Sequence, residues 1–389
     1  MPSWHQLLEE IKVKGSTFDV VRRQYLAKLH KITGRNVVLY YSGWLQKPGI
    51  PGMQVNDADK NGFMTVIHGL DRTKGLDLIL HTPGGETAAT ESLVDYLHSM
   101  FGTNIRAIVP QLAMSAGTMI ACSCKQIIMG KQSSLGPIDP QLGPMPAHGV
   151  VEEFKRAVDE VRADPSKIPI WQPIIARYHP TLIGECEKAI QWSNDMVKEW
   201  LVRGMLQGHV DPQGKAAEIV TELSDHALQK SHARHLSAAK CKAMGLEVVA
   251  LEDDPKLQDA VLTVHHACVH TLAATAAFKM IENHKGVAFF QMQQMIIQGH
   301  PANAEQLPGL VIPAMPAMLP QQPPPEGEPE DILDELLERQ ILGTIPVNHV
   351  VLMVAGNGSE NSQISQHIAA RPPEGGLHSA FFQRQYKLT

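Results

Sequence analysis

Cysteine is scarce in this chain. Five thiols occur in 389 residues, Cys122, Cys124, Cys186, Cys241 and Cys268, and none forms a paired CxxC spacing. A zinc-ribbon framework is thereby excluded, and Cys-Ser-Cys at 122–124 reads as a pair of simple buried thiols. The pattern fits a reducing compartment. Uninterrupted apolar runs of membrane-spanning length are also missing. The opening MPSWHQLLEEIKVKG carries acids where a signal peptide is apolar. A cytoplasmic protein is expected, with peripheral association with a membrane surface left open. Positive charge is not in excess either: 34 Lys and Arg stand against 40 Asp and Glu, a formal net charge of −6. That argues against nucleic acid as a partner. Neither a G-x-x-x-x-G-K phosphate loop nor a dinucleotide fingerprint is present. Nothing in the residues calls for a metal, nucleotide or organic cofactor.

What is present fits a soluble globular protein with one large core, at 43% apolar and 19% charged residues. An amphipathic helical segment (1–35) precedes NVVLYYSGW, a buried strand by composition. GFMTVIHGL fits a strand edge or a short helix across a sheet. LDLILH, IRAIVP and KQIIMG read as strands, separated by a helix carrying Ala89, Leu93, Leu97 and Met100 on one face and by another starting near Ser115. Helices between apolar strands imply right-handed parallel crossovers, hence an α/β core over about 36–145. Mainly helical segments follow, among them GVVEEFKRAVDEVRA, TLIGECEKAIQWSNDMVKEWLVRGML and a last long helix, QDAVLTVHHACVHTLAATAAFKMIENH. The main domain spans 36–300. Residues 301–330 hold nine prolines and read as a stiff exposed linker. Residues 331–389 read as a peripheral tail in which DILDELLERQIL docks as a short helix.

Two junctions carry the chemistry. In ILHTPGGETAATESLVDYLHSM a strand stops at Pro83-Gly84-Gly85 and a helix begins. In IRAIVPQLAMSAGTMIA the second strand leads to Ser115 among small residues. Glycines let backbone approach a ligand, and amides at a helix N-terminus favour negative charge. The first junction serves equally as an ordinary turn, and Ser115 or Thr118 as a helix cap. Loops at the carboxyl ends of neighbouring parallel strands lie on one side of the sheet, however. Gly84, Gly85 and Ser115 can therefore meet across one crevice, with the Ala116 amide as a second donor. The surroundings of Ser115 are not the G-x-S-x-G of an α/β-hydrolase elbow.

HTPGGETAATESLVDYL, AMSAGTMIACSCKQIIMGKQSSLGPIDPQLG and SHARHLSAAKCKAMGLEV resemble the serine dehydrogenase proteinase family. That family belongs to the Clp protease/crotonase superfamily and is related to signal peptide peptidase A. The resemblance covers about 35–285 and is strongest over 79–143. It implies an α/β fold, a Clp protease/crotonase-like spiral of ββα units with additional C-terminal helices, assembled as a homo-oligomer. It also implies Gly84 and Gly85 as oxyanion-hole glycines, Ser115 as the nucleophile, and a polypeptide substrate.

The proton acceptor is less evident. Where the Clp pattern places a histidine, this sequence has Asp139, which fits a Ser-Lys pair better than a Ser-His-Asp triad. Lys155, forty residues after Ser115, is the favoured base, with Lys167 and Lys188 farther on. Its neighbours Glu152, Glu153 and Arg156 make the same stretch read as a solvated helix face. His148 and His179 stand as alternative bases. His81 either orients substrate or closes a strand. His266 and His270 read as a packed or interfacial face, and His232 and His235 as a partner contact or cap without a third zinc ligand. Two further functions stay open on the same fold: a noncatalytic binding or scaffold protein, and a crotonase-like acyl-thioester enzyme.

Overall fold

The computed structural model describes residues 18–143, 145–224, 234–293, 349–353, 363–367 and 383–387. Helix α1 (Phe18–Thr33) leads into β1 (Asn36–Ser42), then α2 (Asp57–Ile67), β2 (Leu76–His81), α3 (Thr87–Phe101) and β3 (Ile105–Val109). A short β4 (Leu112–Ala113) precedes α4 (Ala116–Cys122), β5 (Gln126–Met129) and β6 (Ser134–Leu135). The hairpin of β7 (Gln141–Leu142) and β8 (Met145–Pro146) opens a helical region of α5 (Ala147–Ala163), α6 (Ile168–Ile175), α7 (Leu182–Arg203) and α8 (Pro212–Ser224). The chain then returns through β9 (Leu236–Ser237), α9 (Ala238–Met244), β10 (Val248–Ala250), α10 (Pro255–Ala274), β11 (Ala277–Asn283) and β12 (Ala288–Met292). Among the described residues no helix is long and apolar enough to cross a membrane.

Continuous apolar strands belong where both faces of a parallel sheet are covered. Strands β1 and β2 are buried at every residue. They pair in parallel, with Leu39 opposite Ile79 and Tyr41 opposite His81, and β3, β5 and β10 continue the parallel array. Alternation sorts the side chains to two cores. Val38, Tyr40, Leu78, Leu80, Ala107 and Val109 join α2, α3 and α4 on one face. Val37, Leu39, Tyr41, Ile79, Ile108 and Ile128 join α1 and α10 on the other. The parallel α/β core expected from the sequence is therefore present. A small second sheet of β4, β6 and β9 lies beyond the main one.

One element left open by the sequence is decided here, and two others differ from the sequence reading. GFMTVI belongs to a helix, α2, started by a capping box in which Asn56 and Asp59 each bond the other's backbone. The long helix expected through residue 284 ends at Ala274, and AFKMIEN forms β11, antiparallel to β1. Its charges explain the misreading: Glu282 is buried because Arg22 and Arg23 of α1 bind it, an ion pair formed across the whole domain. Within the expected peripheral tail, β13 (His349–Met353) pairs with β12 at the sheet edge, while β14 (Gln363–His367) and β15 (Gln383–Lys387) form a hairpin. The linker 301–330 and the helix expected at 331–342 lie outside the described residues.

A cluster of neutral histidines fills the α10 face near the end of β2. His81 packs on Trp44 at 4.4 Å between ring centroids and on His265 at 5.4 Å, and Tyr41 Oη lies 3.2 Å from His265 Nδ1. Burial, then the nearby His266, pushes the His265 pKa down to about 3. His81 is held well below its ordinary value by burial and then by His265. The unfolded chain binds these protons near pH 6.5 and the folded chain does not, so stability falls as pH drops from 6.5 toward 3. Urea unfolding at pH 7 and pH 5 is expected to show a loss about 2 kcal/mol smaller in His265→Gln than in the parent. Equal losses in the two proteins would contradict the neutral assignment.

Candidate active site

The residues after β2 and those after β3 run side by side. Thr82 N donates to Leu112 O (3.1 Å), and Met114 N donates to Thr82 O (3.0 Å). This lacing brings Gly84 and Gly85 against Ser115 and Ala116. On the other flank, Val55 N donates to Gly84 O (2.8 Å) and Glu86 N donates to Val55 O (2.9 Å). The diglycine turn is thus clamped between two extended segments.

Both glycines are required by space. Gly84 has φ +101°, and a Cβ built there would stand 2.6 Å from Ser115 Cβ, 2.8 Å from Met114 O and 3.1 Å from Ala116 N. Its Cα therefore lies within about 4 Å of Ser115 Cβ, one carbon–carbon bond being about 1.5 Å. A Cβ on Gly85 would fall 2.3 Å from both N and O of Val55.

Ser115 is the single non-glycine residue with positive φ among the described residues, at φ 50° and ψ −114°. That ψ is far from the left-handed helical well, so the residue is strained. It occupies the N-cap position of α4, yet its side chain makes no capping bond. The simple cap reading is thereby corrected: the hydroxyl is half-buried and makes no capping bond among the described residues. Thr118 does not cap either. Its buried hydroxyl reaches Ala113 O and Gly136 O, each at 2.9 Å, and accepts from Gly136 N at 2.9 Å, tying α4 to the loop after β6.

The amides divide clearly. Gly84 N–H is directed at Thr82 Oγ1 (3.3 Å). Gly85 pairs with Val55 as in a parallel bridge, which turns its own N–H to the opposite side. Ala116 begins α4, where first-turn amides have no helical acceptor. Among the described residues neither the Gly85 nor the Ala116 amide donates a hydrogen bond within the protein. The arrangement can therefore present a hydroxyl beside two main-chain donors.

The candidate bases are carried outside the two junctions. Lys155 is exposed on α5, whose apolar side, with Ala147 and Val150, packs on Leu182 and Cys186 of α7. Such a place is open to solvent, unlike the dry setting in which a lysine serves as a base. Lys167 reaches Glu160 at 3.4 Å, and Lys188 is exposed. His179 is exposed and contacts Thr181 Oγ1 at 2.9 Å. His148, on the first turn of α5, has Nε2 buried without a hydrogen-bond partner among the described residues. His81, His266 and His270 lie on the α10 side, with the sheet between them and α4. Asp139 is buried and accepts from Gln141 Nε2 (3.4 Å). His235 is exposed and His232 falls outside the described residues. Among the described residues no group of three or more His, Cys, Asp or Glu is placed to hold a metal ion.

Residues 12–256 match the family described as ClpP-like SDH-type serine proteinase. The chain belongs to this family of serine proteinases. The match encloses both junctions of the SDH-type proteinase fold and Lys155, stops within the first turn of α10, and leaves out β11 and β12. An uncharacterized protein of Methanocaldococcus jannaschii is 38% identical over 117 residues, covering 30% of this chain and 39% of its own length. A second uncharacterized protein of the same organism is 33% identical over 175 residues, covering 44% of this chain and 51% of its own. The SDH-type proteinase chain thus spans about half the length, or less, of these curated relatives. Sequence reasoning missed Thr82 and Val55, which bond the turn, and Tyr40, Asp59 and Lys279 behind them.

Proposed function

We propose that the chain is a serine peptidase in which Ser115 Oγ attacks the carbonyl carbon of a peptide bond. The observation that carries this reading is a strained serine whose hydroxyl has no capping role, set beside the unused amides of Gly85 and Ala116. As the Oγ–carbon bond forms, the carbonyl oxygen takes the electron pair and the two amides receive it. The serine proton passes to a base and then to the departing amine. Water releases the acyl group by the reverse sequence. Gly84 acts through shape, letting the turn touch Ser115. The substrate is a polypeptide, and no cofactor enters any step.

For the base, Lys155 remains our assignment on the condition that substrate or a second copy covers its exposed face of α5. His148 is the second reading, favoured by its buried, unpartnered Nε2. Hydrolysis of an unfolded polypeptide by the purified chain tests both. The reading expects Lys155→Met to lower kcat by about 10³-fold and His148→Gln by less than tenfold. The opposite ranking moves the role to His148, and full activity in both variants removes both.

Exposed apolar side chains on α6, Ile168, Ile170, Ile174 and Ile175, support a homo-oligomer. Light scattering at the mass of one 42.7 kDa chain would remove that part of the reading.

A further inference from the structure

Lys279 lies within β11, fully buried, where an ammonium is costly unless paired. Its three N–H donors go to Asp59 Oδ1 (2.8 Å), Asp59 Oδ2 (3.0 Å) and Gln54 O (2.8 Å). Burial lowers the lysine pKa, and the Asp59 carboxylate raises it back in part. With every donor engaged, Lys279 has no free role as a base. Asp59 is equally buried and also accepts from Tyr40 Oη (2.7 Å) and Asn56 N (3.0 Å).

Two paths lead from this pair to the diglycine turn. In the first, Asp59 holds the Tyr40 hydroxyl at 2.7 Å, Thr82 is a neighbour of that hydroxyl, and Gly84 N–H is directed at Thr82 Oγ1 at 3.3 Å. The carboxylate thus fixes the Tyr40 hydroxyl, which lies beside the residue that receives the Gly84 amide. In the second, Lys279 holds Gln54 O and Asp59 holds Asn56 N. Between them Val55 bonds Gly84 O and Glu86 N. Both paths end on the residues whose geometry sets the Gly85 amide.

We propose that the buried Lys279–Asp59 pair positions the diglycine turn against Ser115, through Tyr40 and Thr82 on one side and through Val55 on the other. The proposal rests on the serine peptidase reading for its consequence in catalysis, though not for its structural content. Lys279 and Asp59 are positioning residues. A buried ion pair is seldom a better source of stability than apolar side chains of the same volume. Its value here is to fix one arrangement of a turn that glycines leave free. Lys279 also lies beyond the residues that match the family, so the family match alone does not point to it.

The test uses the full chain and two variants, Tyr40→Phe and the paired replacement Lys279→Met with Asp59→Leu. Hydrogen exchange is followed by mass spectrometry, and acylation by an activated peptide ester. In both variants, exchange in peptides covering 82–86 is expected to rise about tenfold, while peptides of β5 and α10 keep the parent rate. Acylation is expected to lose about tenfold in kcat with KM within about twofold. Parent-like exchange at 82–86 overturns the proposal, and so does a rise shared equally by β5 and α10. Ser115→Ala separates the two claims, because it leaves exchange at 82–86 unchanged while removing acylation. A parent chain that fails to acylate defeats the peptidase reading, and the exchange result still decides the positioning.

Discussion

Gly84→Ala is expected to abolish measurable hydrolysis and to lower stability by about 3 kcal/mol, more than backbone strain alone produces. The added methyl meets three atoms that cannot swing away: Ser115 Cβ at 2.6 Å, Met114 O at 2.8 Å and Ala116 N at 3.1 Å. All belong to the junction that carries the nucleophile, so any relief moves Ser115 and the Ala116 amide together. Gly49 provides the control. It also has positive φ, at +85°, but nothing lies within 4 Å of its Cβ position. Gly49→Ala is expected to cost about 1 kcal/mol and leave activity intact. Urea unfolding and peptide hydrolysis of the two variants measure the difference. Equal effects would show that contact with Ser115 is unimportant.

Ser115→Ala and Ser115→Gly are expected to lose hydrolysis alike, by about 10⁴-fold or more, since neither offers a nucleophile. Their stabilities are expected to diverge. Alanine keeps a Cβ at φ 50° and ψ −114°, and so keeps the strain. Glycine removes it, and relief of 1–3 kcal/mol set against the greater freedom of glycine in the unfolded chain leaves a gain of about 1 kcal/mol over the parent. The hydroxyl makes no capping bond, so its deletion alone costs little. A Ser115→Gly protein that is both inactive and more stable is the signature of strain kept for function. A clear loss of stability would mean that the backbone there is held for packing.

The parallel core was legible because the burial of β1 and β2 on both faces leaves an uninterrupted apolar run in each. Both junctions were legible because glycines and a serine among small residues are local signals. Strand β11 was not. Lys279 and Glu282 read as a helix surface until their partners are known, and those partners lie 220 and 260 residues away. Helix α2 was ambiguous because FMTVI is β-like in composition, and its assignment depends on Asn56 and Asp59, just before and inside its first turn. The same distance effect hid much of the site. That Gly84 N–H is taken by Thr82 while Gly85 N–H is not follows from the Val55 bridge, which no spacing within the motif reveals. Lys155 shows the converse. Its separation from Ser115 is suggestive as a number, yet the packing of α5 on α7 leaves it exposed.

The most direct measurement is acid quenching of the chain during turnover of a slowly deacylating peptide ester, followed by mass spectrometry of its fragments. The peptidase reading expects the acyl mass on the fragment that contains Ser115, at Ser115 itself, and neither adduct nor turnover in Ser115→Ala. Turnover that persists in Ser115→Ala, or an acyl group carried by another residue, would contradict it.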